Sequence, residues 1–137
     1  MKERIRAIRQ YLGPLDEYGR PTFAGAVLAK TSGRGGETAK TTPPGYVQGV
    51  RHDRGHLIAK AFGGPDDPRN VATQTQWANR GPMLVAERLA TSLAEQGRLV
   101  YLRVRVLSHG NTALPLGFIV EVWADLRPYL ELEFYNA

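Results

Sequence analysis

The residues best suited to chemistry fall within one stretch of 35. Asp53, Arg54, Gly55 and His56 stand consecutively, Asn70 and Asn79 follow nine residues apart, and Glu87 comes eight residues after Asn79. An imidazole, with an ordinary pKa of about 6.5, takes up a proton readily at neutral pH, so His56 is the candidate general base. The carboxamide oxygen of Asn79 is a neutral ligand for a hard cation, and magnesium, which keeps several of its waters, asks for few protein ligands. Arg54 can meet a phosphate. Such a set fits phosphodiester hydrolysis. That reaction needs a water made nucleophilic, a counter-charge at the reacting phosphate and help for the departing oxygen.

Each residue alone has a simpler reading. His56 alone is a surface or core histidine, Asn79 a helix cap ahead of Pro82, and Asn70 a turn residue after Pro68. Glu87 alone is a solvated helix residue, Arg54 an ion-pair partner, and Trp77 a core aromatic. Only the combination at this spacing favours chemistry.

The combination resembles the DNA/RNA non-specific endonucleases, particularly secreted bacterial nucleases and the nuclease domains that end polymorphic toxins. The resemblance rests on Asp53-Arg54-Gly55-His56, on Pro68-Arg69-Asn70 as a reduced Asn-Pro-x-Asn-like segment, and on Gln74-Thr75-Gln76-Trp77-Ala78-Asn79 with Glu87 beyond it. It spans residues 51–106, and Asp16–Arg20 is an isolated match before it.

The resemblance implies an α+β fold of the ββα-metal type, with Mg²⁺ as cofactor and Mn²⁺ as a substitute. His56 is then the base, Asn79 the metal ligand, Arg54 a phosphate contact and Glu87 a residue that reaches the cation through water. Asn70 and Gln74 are expected to orient His56 or the waters around the cation, and Asp53 to order the same surroundings. The substrate is expected to be DNA and also RNA, cut without sequence preference. As a toxin module the chain would be part of a larger effector, secreted or delivered into a target cell to act in its cytoplasm, and countered by a cognate acidic immunity protein.

The elements that must position these residues are partly readable. Thr22–Lys30 reads as a strand, residues 31–45 as a long basic loop, and Val47–Val50 and Leu57–Ala61 as short strands around the polar cluster. Gly63–Asn70 is a loop. Pro82–Gln96 is the main helix, opened by Pro82, followed by Gly97 and striped with Met83, Ala86, Ala90, Leu93 and Ala94. Arg98–Leu107 and Gly117–Trp123 read as antiparallel partners, and Tyr129–Tyr135 as an edge strand. Residues 2–12, with Ile5, Ile8 and Leu12, suggest a short amphipathic helix or a lead-in. The sum is one domain with an antiparallel sheet and one main helix that carries the metal site.

Composition sets outer limits. The 137 residues carry a net charge of +5 and contain no cysteine, which rules out a disulfide framework, a thiolate zinc site and a cysteine nucleophile. The charge is uneven: residues 1–60 hold 11 Lys/Arg against 5 Asp/Glu, and residues 61–137 hold 7 against 8. That basic half suits a polyanion, with Arg34, Lys40, Arg51 and Lys60 as candidate phosphate contacts. No apolar run reaches membrane-spanning length, and the first residues lack the apolar core of a signal peptide. The chain is therefore expected to stay where it is made or to be a piece of a longer exported protein.

Two other function classes compete with the nuclease. One is a catalytically silent nucleic-acid-binding module on the same fold, against which the full His56–Asn79–Glu87 set argues. The other is a hydrolase with Asp53, Asp66 and Asp67 as a carboxylate metal cluster, although Asp66 and Asp67 sit in a Gly/Pro-rich turn.

Overall fold

Small apolar residues on one face of a sheet let a helix approach closely, and the core of this molecule is built on that match. In the computed structural model, which describes residues 2–33 and 35–137, the strands are β1 (Arg4–Leu12), β2 (Phe23–Thr31), β3 (His52–His56), β4 (Val71–Thr75), β5 (Val100–Leu107), β6 (Gly117–Ala124) and β7 (Arg127–Tyr135). A short helix α1 (Gln76–Arg80) precedes the main helix α2 (Pro82–Glu95), and a 3-10 turn covers Lys60–Phe62. Five strands form one antiparallel sheet in the order β1-β2-β5-β6-β7, while β3 and β4 form a separate ribbon. Helix α2 lies on β2, β5 and β6. Its buried Met83, Ala86, Ala90, Leu93 and Ala94 meet a layer containing Ala24, Ala26, Leu28, Val100, Leu102, Val104, Val120 and Val122. Burial of this layer is the main stabilising term.

The predicted strands at 22–30, 98–107, 117–123 and 129–135 are present with shifted ends, and the main helix stops one residue early. Three readings are corrected. Within residues 2–12, Arg4–Leu12 form β1 rather than a helix or a free lead-in: Ile5, Ala7 and Leu12 meet the core, and Ile8, which completes the apparent helical spacing, is exposed and unpaired at the register shift between Ala7 and Arg9. Val47–Val50 is a turn with both valines exposed. Leu57–Ala61 is a bend running into the 3-10 turn; Leu57 and Ile58 are fully buried, but Asn70 takes up their backbone N–H groups in place of a strand partner. The strand is instead the polar His52–His56 itself, paired with Val71–Thr75 so that His52 faces Thr75 and His56 faces Val71.

Candidate active site

Glycine at position 55 allows the β3–β4 ribbon to close. The side chain of Gln74 packs over Gly55 so tightly that a Cβ there would collide with it. Gln74 is fully buried, reaches the His56 carbonyl with Nε2 at 3.4 Å, and has no partner for Oε1 among the described residues. The chain then leaves β4 directly into α1, where the Thr75 hydroxyl caps the helix by accepting from the Ala78 N–H at 3.2 Å. This places Asn79 inside the short helix rather than at the start of the main one.

Asp53 gathers α1 onto the ribbon. Its carboxylate accepts from Asn79 Nδ2 at 2.8 Å and from both arms of Arg80, Nε at 3.1 Å and Nη2 at 3.0 Å. Committing Nδ2 to Asp53 fixes the amide flip and leaves Oδ1 as the outward atom of Asn79. Oxygen is what a hard cation takes, so the donor chemistry of Asn79 fits magnesium. The sequence pairing of Arg54 with Asp53's surroundings is not what forms: Arg54 is exposed over the Tyr46 ring, 4.6 Å from its centroid, and Arg80 takes the carboxylate.

His56 ends β3, three residues on from Asp53. Its Nε2 lies 2.8 Å from the Glu37 carbonyl oxygen. A carbonyl can only accept, so Nε2 carries the hydrogen and the neutral ring has its lone pair on Nδ1. Burial holds the imidazole below its ordinary pKa, against the pull of the Glu37 contact and the nearby Asp66 charge. The ring is therefore neutral at neutral pH.

Glu87, one face of α2, sits in a shallow cleft of about 220 Å³ with Ala59, Ala61, Phe62, Leu84, Arg88 and Thr91. Burial among these mainly apolar groups raises its carboxyl to about 7. A carboxylate so placed favours a nearby cation.

Asn70 does not reach the imidazole. It is fully buried and serves the backbone just beyond His56, accepting from Ile58 N–H at 2.9 Å and donating to the carbonyls of Ile58 and Pro65, each at 3.1 Å. Lys60 Nζ donates to the Thr38 hydroxyl at 2.7 Å, while Lys40 and Arg51 are exposed. Arg34 lies outside the described residues. Trp77, expected in the core, is 59% exposed. The carboxylate-cluster reading finds no support: Asp53 holds Asn79 and Arg80, Asp66 holds Thr41, and Asp67 holds Arg69. No cluster of three His, Cys, Asp or Glu suited to a metal occurs among the described residues. Two participants escaped the sequence reading. Arg80 was visible beside Asn79, but the Glu37 contact is a backbone carbonyl and leaves no side-chain trace.

The fold and the residues match a known class. NucA from Streptococcus agalactiae with no metal bound superposes with a TM-score of 0.75 at 24% identity, covering 100% of this chain and 72% of that one. The same nuclease with a magnesium ion bound gives 0.73 at 25% identity, with the same coverage. Sda1 nuclease with bound zinc gives 0.77 at 17%, covering 96% of this chain and 75% of that one. No curated protein matches the sequence significantly. The family profile of DNA/RNA non-specific endonucleases matches residues 2–125, so the chain belongs to that family.

Proposed function

We propose that the protein is a divalent-metal-dependent, sequence-nonspecific endonuclease acting on DNA and RNA, with His56 as general base and Asn79 as the protein ligand of Mg²⁺. The observation that carries this reading is the pair of committed nitrogens: His56 Nε2 on the Glu37 carbonyl and Asn79 Nδ2 on Asp53. Each leaves its working atom, Nδ1 or Oδ1, without a hydrogen-bond partner among the described residues. A silent binding module has no use for a neutral imidazole fixed in one tautomer.

His56 Nδ1 takes the proton of a water as its oxygen attacks phosphorus, and the bond from phosphorus to the 3′ oxygen breaks. A divalent cation, when bound, supplies charge at the phosphate and the leaving oxygen. Asn79 Oδ1 would hold it directly and Glu87 through water. Mn²⁺ is expected to substitute. NucA with magnesium supports the choice of metal, and Sda1 with zinc shows a related nuclease holding another divalent ion. Asp53 orients Asn79, while Gln74 and Asn70 brace the backbone on either side of His56. Arg54, supported by Tyr46, is free to meet a phosphate oxygen. Lys40, Arg51 and Lys60 would follow the backbone of the substrate.

Structural neighbours described as extracellular nucleases, at 20% and 18% identity, support secretion. Plasmid DNA and RNA digestion with Mg²⁺, with a chelator and with His56→Ala tests the proposal. Cleavage that survives chelation or the substitution overturns it. Delivery as a toxin with an acidic immunity partner is a narrower reading. It predicts that the chain expressed alone in bacterial cytoplasm is lethal and that a neighbouring open reading frame rescues growth.

A further inference from the structure

We propose that Asp66 is a positioning residue for His56, clamping residues 36–41 over the end of β3 so that the Glu37 carbonyl fixes the imidazole. The inference rests on His56 being the base. It assigns work to a carboxylate that forms no salt bridge among the described residues.

The Glu37 carbonyl belongs to a stretch, residues 35–43, with no helix or strand of its own. Such a carbonyl is only as well placed as its anchors. Those anchors are few and specific. Gly36 N–H donates to the Lys60 carbonyl at 2.8 Å, and Lys60 Nζ donates to the Thr38 hydroxyl at 2.7 Å. On the far side of Glu37, Thr41 N–H donates to Asp66 Oδ1 at 3.1 Å. The Thr41 hydroxyl and the Thr41 and Lys40 N–H groups hold the Asp66 carboxyl below the usual carboxylate range, so it is an anion at working pH. The turn that carries Asp66 is itself fixed, because Asn70 donates to the carbonyls of Pro65 and Asp67, through Nδ2 at 3.1 Å and N–H at 2.7 Å. Support thus runs from buried Asn70 to the turn, to Asp66, to Thr41, to Glu37 and to the ring.

Two charged side chains act on His56, and their effects oppose each other. Asp66 favours the imidazolium that forms when the base takes its proton, and Lys60 disfavours it. Glu37 offers only its backbone carbonyl, and Arg54 on the same strand is stacked on Tyr46. Asp67, the next residue, has its carboxylate closed on Arg69 at 2.9 Å, which makes it a matched control.

The experiment uses Asp66→Asn, Asp66→Ala and Asp67→Asn. The His56 ring nitrogens are followed by NMR through a pH titration of the metal-free protein, and kcat and KM are followed with Mg²⁺. Asp66→Asn keeps an acceptor for Thr41 but removes the charge, so the His56 midpoint and the acid limb of kcat should both move to lower pH. Asp66→Ala should also mix the two tautomers and lower kcat about 10–100-fold, with KM and the Mg²⁺ midpoint within about twofold. Asp67→Asn should change neither. An unmoved His56 titration in Asp66→Asn, or an equal shift from Asp67→Asn, overturns the proposal; Asp66→Asn decides it even where Asp66→Ala fails to fold. If the wild type cuts no nucleic acid, the nuclease reading falls while the NMR titration still decides the clamp.

Discussion

The two sheets are held together by different physics. The five-stranded sheet is an apolar layer under α2, with buried residues alternating along β5 and most of β6 buried. The β3–β4 ribbon is five residues long on each strand and is secured by side chains bonding to backbone. Thr73 Oγ1 donates to the Pro44 carbonyl at 2.8 Å, Asn70 clasps Ile58, and Asp53 draws in α1. A two-stranded ribbon is marginal by itself, and here the polar groups that stabilise it are also those that aim the site. Burial lost from the large sheet should lower stability more than it disturbs the site, whereas in the ribbon one misplaced hydrogen bond should disturb the site before it costs the fold.

That contrast can be broken most sharply at His56. His56→Ala should lower kcat by about 10²–10⁴-fold or more while thermal stability stays near wild type. Wild-type kcat should fall as pH drops through a midpoint below the ordinary imidazole value, since burial lowers the His56 pKa and only the neutral ring can accept a proton. Leu102→Ala is the converse: it should cost about 2–5 kcal/mol in denaturant unfolding with kcat of the folded fraction unchanged. A large kcat loss there would erase the division between the two sheets.

Asp53→Asn and Asn79→Ala sharpen the same division. Each should cost about 10–100-fold in activity and raise the Mg²⁺ concentration needed, far more than Asp67→Asn does; metal titration of the three variants decides it. Glu87 provides a smaller, oppositely signed test. Its carboxyl is raised from 4.5 to about 7, so the folded protein holds a proton there that the unfolded chain has lost. Metal-free stability should therefore fall as pH rises from 4.5 to 7 and stay low above it. Glu87→Gln should flatten that slope and gain about 1–3 kcal/mol at pH 8, less than the full shift implies because the carboxyl still touches solvent. Melting curves across that range measure it. The smallest effect belongs to the exposed cations: Arg51→Ala or Lys40→Ala should reduce the slope of log affinity against log salt on duplex DNA by about 0.9 each.

Legibility in the sequence follows the same division. The strands that feed the large sheet and the main helix were readable because burial writes its period into the chain. β1 was not, because exposed Ile8, left out of the pairing at the register shift, falls at a helical spacing between buried Ile5 and partly buried Leu12. The ribbon was misread in the opposite direction. His52–His56 is polar because it forms the site, and the apolar Leu57–Ala61 after it is buried without being a strand. The candidate residues stood out in the sequence as a motif with fixed spacing. What sequence could not carry was the commitment of each nitrogen. Glu37 acts through a carbonyl that every residue has, and Asp66 had looked like a turn residue or a metal ligand. Trp77 was exposed by the geometry of α1, which no periodicity announced.

Asn136 joins the two sheets from the far end of β7. Its Oδ1 accepts from Thr75 N–H at 2.8 Å, and its Nδ2 donates to the carbonyls of Thr73 at 3.0 Å and Pro115 at 3.2 Å. These bonds bridge more than 60 positions of chain between β4 and residue 136. In terms of time, the strand leading into α1 is not fully secured until residue 136 has docked. Long-range closures of this kind come late in folding. Cutting ability should consequently emerge after the apolar sheet has formed, and pulse-labelled hydrogen exchange should find the Thr75 amide protected together with β7, not with the earlier-formed α2. A chain harmful to nucleic acid would then be harmless for most of its own folding.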